Sequence, residues 1–191
     1  MYSCMEEKFR YLDHMTDLIV EAYGNTLQEL FENSALGLIN AMFDMTNVET
    51  SHSIKIKAQG HDFKSLLYDW IEKIILSIYI DRMIVVKFDS LSFSKIITDD
   101  HPNTNNKENN NNITIIREME FLANDLDLYD SEKSKSRPDN YIYKIEGIGN
   151  GDIIDLHKHE YKIEVKSITY HEMEIKRDEA GFYIARFLVD L

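Results

Sequence analysis

Cysteine is nearly absent: Cys4 is the only one in 191 residues. A disulfide within the chain, a zinc knuckle and a paired redox motif are thereby excluded. A reducing, cytoplasmic setting is the expectation. Proline occurs only at Pro102 and Pro138, and there are only seven glycines, none of them in a phosphate-cradling loop. No Gly-x-Ser-x-Gly is present either, and Cys4 lies in an irregular-looking opening segment, so nucleophilic catalysis finds little support and no enzyme is expected. Long apolar runs are missing as well. Those around Ile74–Ile80 and Ile84–Val86 are far shorter than the ~20 residues of a membrane helix, so no membrane association is expected. The opening Met1-Tyr2-Ser3-Cys4-Met5-Glu6-Glu7 has neither the basic region nor the apolar stretch of a secretory signal. Basic charge is scarce: 21 Lys and Arg face 34 Asp and Glu, a net charge of -13. Such a surface repels phosphate backbones, so direct tight nucleic-acid binding is not expected. It suits a basic protein partner, or cations.

What is present is ample apolar material, 43% of the chain, enough for the core of a single domain over 1–191. Its periodicity changes along the sequence. Thr16 to Ala22 reads as a strand with Leu18, Val20 and Ala22 on one face. Thr26-Leu27-Gln28-Glu29 reads as a capping box opening a helix, whose stripe runs Leu27, Leu30, Phe31, Ala35, Leu38, Ile39, Met42. Ser53–Ala58 alternates as a half-buried strand. Gly60-His61-Asp62 leads into a second helix with Phe63, Leu66, Leu67, Trp70, Ile71, Ile74 and Ile75 as its stripe. Further strands are expected at 83–88, 91–97, 113–118, 141–147, 160–168, 172–177 and 182–189, with Asp178-Glu179-Ala180-Gly181 as the last hairpin turn. Two early helices and many antiparallel strands define an α+β domain, its helices packed on a largely antiparallel multi-stranded sheet. Two polar stretches read as flexible insertions, approximately 98–112, Asn-rich and without core residues, and approximately 125–140.

The chain ends on Asp190-Leu191, directly behind the apolar Phe187-Leu188-Val189. A terminus anchored in a sheet would hold the Asp190 side chain and the Leu191 α-carboxylate side by side, the kind of oxygen pair a hard cation takes. Upstream stand Val165-Lys166-Ser167-Ile168-Thr169-Tyr170-His171 and His157-Lys158-His159-Glu160, and near the start Asp13-His14-Met15-Thr16-Asp17. In this order and at these separations the segments resemble the archease family, whose marks are a His-Thr-Ala-Asp strand, a Lys-His-Glu turn, a Val-Lys-Ala-(Ile/Val)-Thr-Tyr-His strand and a terminal Asp-Ile or Asp-Leu. The resemblance spans nearly the whole chain. It departs at Leu18-Ile19, where the family usually has Ile-Gly.

The resemblance implies the archease fold and a metal site made of Asp17, the Asp190 side chain and the Leu191 carboxylate. Oxygen-only ligands favour Ca²⁺, with Mg²⁺ or Mn²⁺ as further options, over zinc. His14 and His171 match recurring family histidines and, with His159 of the Lys-His-Glu turn, are expected behind the ligands or facing a partner. The implied function is non-enzymatic: activation of an RtcB-type RNA ligase in tRNA splicing, by promoting ligase guanylylation and repeated turnover. A chaperone for a tRNA-modifying enzyme is the alternative, and a metal-dependent hydrolase a weaker one. The hydrolase would draw on a zinc site of His157, His159, His171 and Asp155, for which no His-Glu-x-x-His spacing exists. Tyr68 and Tyr170 read as packing residues.

Overall fold

The computed structural model describes residues 7–13, 17–98, 113–116 and 141–191. Cys4, His14 and both polar insertions, apart from Thr98, lie outside the described residues. In chain order the elements are β1 (Phe9–Asp13), β2 (Asp17–Gly24), α1 (Leu27–Met42), β3 (His52–Gly60), α2 (Phe63–Tyr79), β4 (Met83–Thr98), β5 (Ile113–Ile116), β6 (Tyr141–Ile153), β7 (Ser167–Arg177) and β8 (Tyr183–Asp190). The α+β class holds, with the strands in two antiparallel sheets of four: β1-β2-β8-β7 and β3-β6-β4-β5.

Both helices start where their caps dictate. Thr26 Oγ1 accepts the Glu29 N–H at 3.1 Å, but the Glu29 carboxylate reaches back to the Asn25 N–H at 2.7 Å, so the box closes one residue before Thr26. At α2, Asp62 Oδ1 accepts from Ser65 N at 2.6 Å and Ser65 Oγ accepts from Asp62 N at 3.0 Å, a reciprocal pair that satisfies two otherwise orphaned donors. The helices lie between the sheets. α1 packs on β2 and β4, while α2 packs on β7 and β3, so each bridges both sheets with its apolar stripe. Trp70, fully buried, donates its indole N–H to the Phe31 carbonyl at 3.0 Å and ties α2 to α1.

Three expectations need correction. The separate strands 83–88 and 91–97 are one strand, β4, kinked by bulges between Val85 and Lys87 and between Phe88 and Ser90. Along this kink β6 presents Gly147, Gly149 and Gly151; a Cβ at Gly151 would meet the Ile84 carbonyl oxygen at 1.7 Å, so only glycine fits. Segment 160–168 is strand only from Ser167. Before it, the backbone pairs with the end of α1, Asp44 N donating to Glu160 O (2.9 Å) and Lys162 N to Met42 O (2.8 Å). The α1 terminus supplied the partner that a sheet would have. Finally, the separate strand expected at 172–177 is the continuation of β7 from Ser167; β7 loses register between Thr169 and Glu174, and Glu172 takes φ +55° in the resulting bulge. No helix of the described residues is long and apolar enough to cross a membrane.

Candidate functional site

The β2–β8 pairing sets Asp17 directly opposite Asp190, and the β7–β8 pairing sets Ser167 on the other side of Asp190. Two carboxylates that are 173 positions apart in sequence thus meet at one sheet end, both half-buried. Like charges directly opposite each other in a ladder are destabilising, by about 0.2–1 kcal/mol. The surroundings partly compensate. Ser167 Oγ donates to Asp190 Oδ2 at 2.7 Å, and Lys166 Nζ donates to the main-chain oxygen of Leu191 at 2.6 Å. Lys166 N also donates to Asp190 O at 2.9 Å, which extends the ladder by one rung and holds the last residues in place. Lys166 and Ser167 were legible only as parts of a motif; their contact with the acidic end comes from the β7–β8 register.

Among the described residues, no three His, Cys, Asp or Glu side chains are grouped so that they could hold a metal ion. The zinc alternative is therefore not assembled. His157 and His159 lie in a turn instead of sharing a strand face, and His171 is exposed on the β7 bulge. At the carboxylate end the ladder sets Asp17 opposite Asp190, and the next residue's Leu191 oxygen is held by the Lys166 ammonium. These donors are all oxygen, the ligand chemistry of hard cations, and one cation, the Lys166 ammonium, already binds there.

The histidines separate. His159 is buried (2% exposed). Its Nδ1 accepts the Asp155 N–H at 3.2 Å, so the ring proton sits on Nε2, which faces Asp152 Oδ2 at 3.6 Å without a hydrogen bond. Asp152 itself is held by Lys158 Nζ (2.7 Å) and Ser51 Oγ (2.9 Å), which keep its carboxyl far below the usual range. His159 thus anchors the turn after β6. His171 N donates to Thr169 Oγ1 at 3.2 Å and its ring stands in solvent near Glu172. Beside it, Tyr170 stacks on Tyr68 of α2 with ring centroids 4.3 Å apart and an interplanar angle of 4°.

A second charged cluster gave no local signal in the sequence, because its members come from three strands. Glu21, 3% exposed, accepts from Arg10 Nε (2.9 Å), Arg186 Nε (3.0 Å) and the Tyr23 hydroxyl. Burial pushes the Glu21 carboxyl up, but the hydrogen bonds from Tyr23 and the two guanidiniums outweigh it and hold the carboxyl at about 2. Burial and the Glu21 charge push the Tyr23 phenol up to about 12. The cluster laces β1, β2 and β8 together and so fixes the strands that carry Asp17 and Asp190.

Removing one of the opposed charges tests the acidic end directly. Asp190→Asn keeps an acceptor for Ser167 and relieves the repulsion, so in chelator it is expected to melt about 1–3 °C above wild type. Calcium is expected to raise the melting temperature of wild type and not of the variant. Equal calcium stabilisation of both would remove this end from metal binding.

Two helices held between two antiparallel sheets, with paired aspartates where β2 and β8 meet, define a class of α+β proteins with an acidic strand end. The model of the Archease protein family matches residues 9–122 and 110–191. The archease of Sulfurisphaera tokodaii is 30% identical over 185 residues, covering 97% of this chain and 99% of that protein. That of Danio rerio is 28% identical, covering 93% of this chain and 83% of its own. The solution structure of Methanobacterium thermoautotrophicum protein 1598 superposes with a TM-score of 0.60 at 25% identity, over 96% of this chain and 99% of that one. The chain belongs to the archease family.

Proposed function

We propose that this protein is a non-enzymatic, cytoplasmic activator of an RtcB-type RNA ligase in tRNA splicing. It would promote guanylylation of the ligase and repeated turnover through an acidic tip made of Asp17, Asp190 and the Leu191 carboxylate. The observation that carries this reading is the register that sets Asp17 against Asp190, on strands locked by the Glu21 cluster. Family membership supports the assignment to RNA processing.

The parts act as follows. The β2–β8 ladder presents the two side-chain carboxylates, Ser167 orients that of Asp190, and Lys166 restrains the Leu191 oxygen. A divalent ion held there, Ca²⁺ in the first instance, would supply positive charge for ordering phosphate oxygens of the nucleotide. The net charge of -13 steers the tip toward the basic surface of a nucleic-acid-binding partner and raises the encounter rate more than the affinity. Fast, weak docking lets one activator serve several ligases, and added salt screens the encounter. Exposed His171, in the β7 bulge four residues on from Ser167, is a candidate partner contact, and so is His14; buried His159 acts by holding its turn.

The terminus offers a test. Residues added after Leu191 replace the α-carboxylate by a neutral amide and crowd the tip, whereas a tag before Met1 changes neither. With ligase, GTP and Mn²⁺, ligations per ligase molecule are expected to fall toward the unactivated level for the C-terminally extended protein and to stay at the untagged level for the N-terminally tagged one. Equal activity of both would take the α-carboxylate out of the site.

A further inference from the structure

A cleft of about 250 Å³ opens where α2 ends, floored by Phe43, Ile78 and Ile154 and rimmed by Tyr79, Leu156, Tyr161 and one charged residue, the exposed Arg82. Apart from Arg82 the rim is carried by large apolar or aromatic side chains open to water: Leu156 is 67% exposed, Tyr79 45% and Tyr161 42%, and Ile80, next to Tyr79, reaches 70%. Among the described residues most large exposed apolar side chains are scattered singly, as is normal; here three line one cleft and a fourth adjoins them in sequence. Its volume falls below the ~300–1,000 Å³ of small-molecule sites and matches a pocket for one anchoring side chain.

The cleft also lies next to the acidic tip. The Tyr79 hydroxyl donates to the Val165 carbonyl at 2.7 Å. Val165 is two residues from Ser167, the direct neighbour of Asp190, so the chain between them spans no more than about 7 Å. The intervening Lys166 binds Asp190 and Leu191. Rim and tip are thus joined by one short, hydrogen-bonded segment. A second copy of the chain is a poor occupant, because each copy carries a charge of -13 and would be repelled. A partner with one apolar side chain standing out of a basic surface is complementary to the apolar walls of the cleft and, Arg82 apart, to the net charge of the chain.

We propose that this cleft receives a single large apolar side chain from the basic RNA-ligating partner, so that the cleft supplies binding while the neighbouring carboxylates supply activation. This rests on the function proposed above and adds a division of labour to it. Leu156 is the residue to change, since its exposure lets substitutions leave the fold intact.

The experiment is calorimetric titration of the RNA ligase with the full chain, read beside the ligation turnover of the same samples. Leu156→Ser is expected to weaken the dissociation constant about 10–100-fold, the range of a hot-spot truncation, at an unchanged melting temperature. Leu156→Met, which refills the rim, is expected to stay within about twofold of wild type. Asp17→Asn is expected to lose stimulation with the dissociation constant nearly kept. If Leu156→Ser binds as tightly as wild type while wild type still stimulates the ligase, the cleft is not the docking point and only this inference falls. If wild type neither binds nor stimulates the ligase, the functional reading falls and this inference with it. A wild-type dimer in sedimentation that Leu156→Ser dissolves would assign the cleft to a second copy and overturn the proposal.

Discussion

Asp17→Ala and Asp190→Ala are each expected to abolish stimulation of the RNA ligase while melting within about 3 °C of wild type. Both side chains are half-buried at a sheet end, outside the apolar core, so little packing is lost with either. Asp190→Ala gives up the hydrogen bond from Ser167, worth about 1 kcal/mol, and gains the relief of charge repulsion, a term of similar size and opposite sign. Function responds differently. The proposed site, with two side-chain carboxylates and one terminal oxygen, would have no spare ligand, so removing either side chain would leave too few oxygens to hold a hard ion. His157→Ala serves as the control. His157 is exposed in the turn, where its backbone N–H donates to Asp155 Oδ1 at 2.9 Å, a bond the substitution keeps. Stimulation should be unchanged. An essential His157 with dispensable aspartates would move the chemistry to the histidines.

Loss of Glu21 is expected to produce the largest change in stability. Glu21→Leu leaves Arg10 and Arg186 facing each other across β2 with no anion between them and the Tyr23 hydroxyl without its acceptor. Breaking a buried pair from one side costs about 3–5 kcal/mol; the arginines are partly exposed and rehydrate, so about 3 kcal/mol is expected here, a fall of roughly 6–12 °C. The pH dependence follows from the direction of the shift. The carboxyl titrates at about 2 in the folded protein against 4.5 as a free side chain, so its contribution is complete above about 4.5 and is lost as pH falls toward 2. Wild type should lose its advantage over Glu21→Leu across that window in acid melts. A stability difference that stays constant between pH 5 and pH 2.5 would show that the cluster acts by shape alone.

Both results bear on how much of the molecule was legible beforehand. Helix α1 and helix α2 could be read because their apolar stripes and caps are local; even so, the Thr26 box closed on Asn25, a choice made by the turn that follows Gly24. The strand β2 was read for its Leu18, Val20, Ala22 face. In the fold, Ile19, Glu21 and Tyr23 are buried as well, because the second face of β2 is covered too, Glu21 by the Arg10 and Arg186 side chains and Tyr23 by Arg10. Segment 160–166 misled because its alternation is genuine, while its hydrogen-bonding partner is the end of a helix. The Gly147-Ile148-Gly149-Asn150-Gly151 alternation was a usable signal for the close crossing with β4. At the acidic tip, the residues could be named from the motifs, yet the direct opposition of Asp17 and Asp190 is a fact of register. Register depends on the long-range pairing of β2 with β8, which no local pattern encodes. The Glu21 cluster was invisible for the same reason.

The most direct measurement is the rate of ligase guanylylation with GTP and Mn²⁺ at one tenth of an equivalent of this protein, compared between wild type and Asp190→Asn. Asparagine keeps size, fold and the Ser167 contact, so only the charge opposite Asp17 is removed. Wild type is expected to drive guanylylation of the whole ligase pool through repeated encounters, with a rate that falls as salt is added, and Asp190→Asn to leave the rate at that of ligase alone. Equal acceleration by the two proteins would contradict the acidic tip as the source of activation.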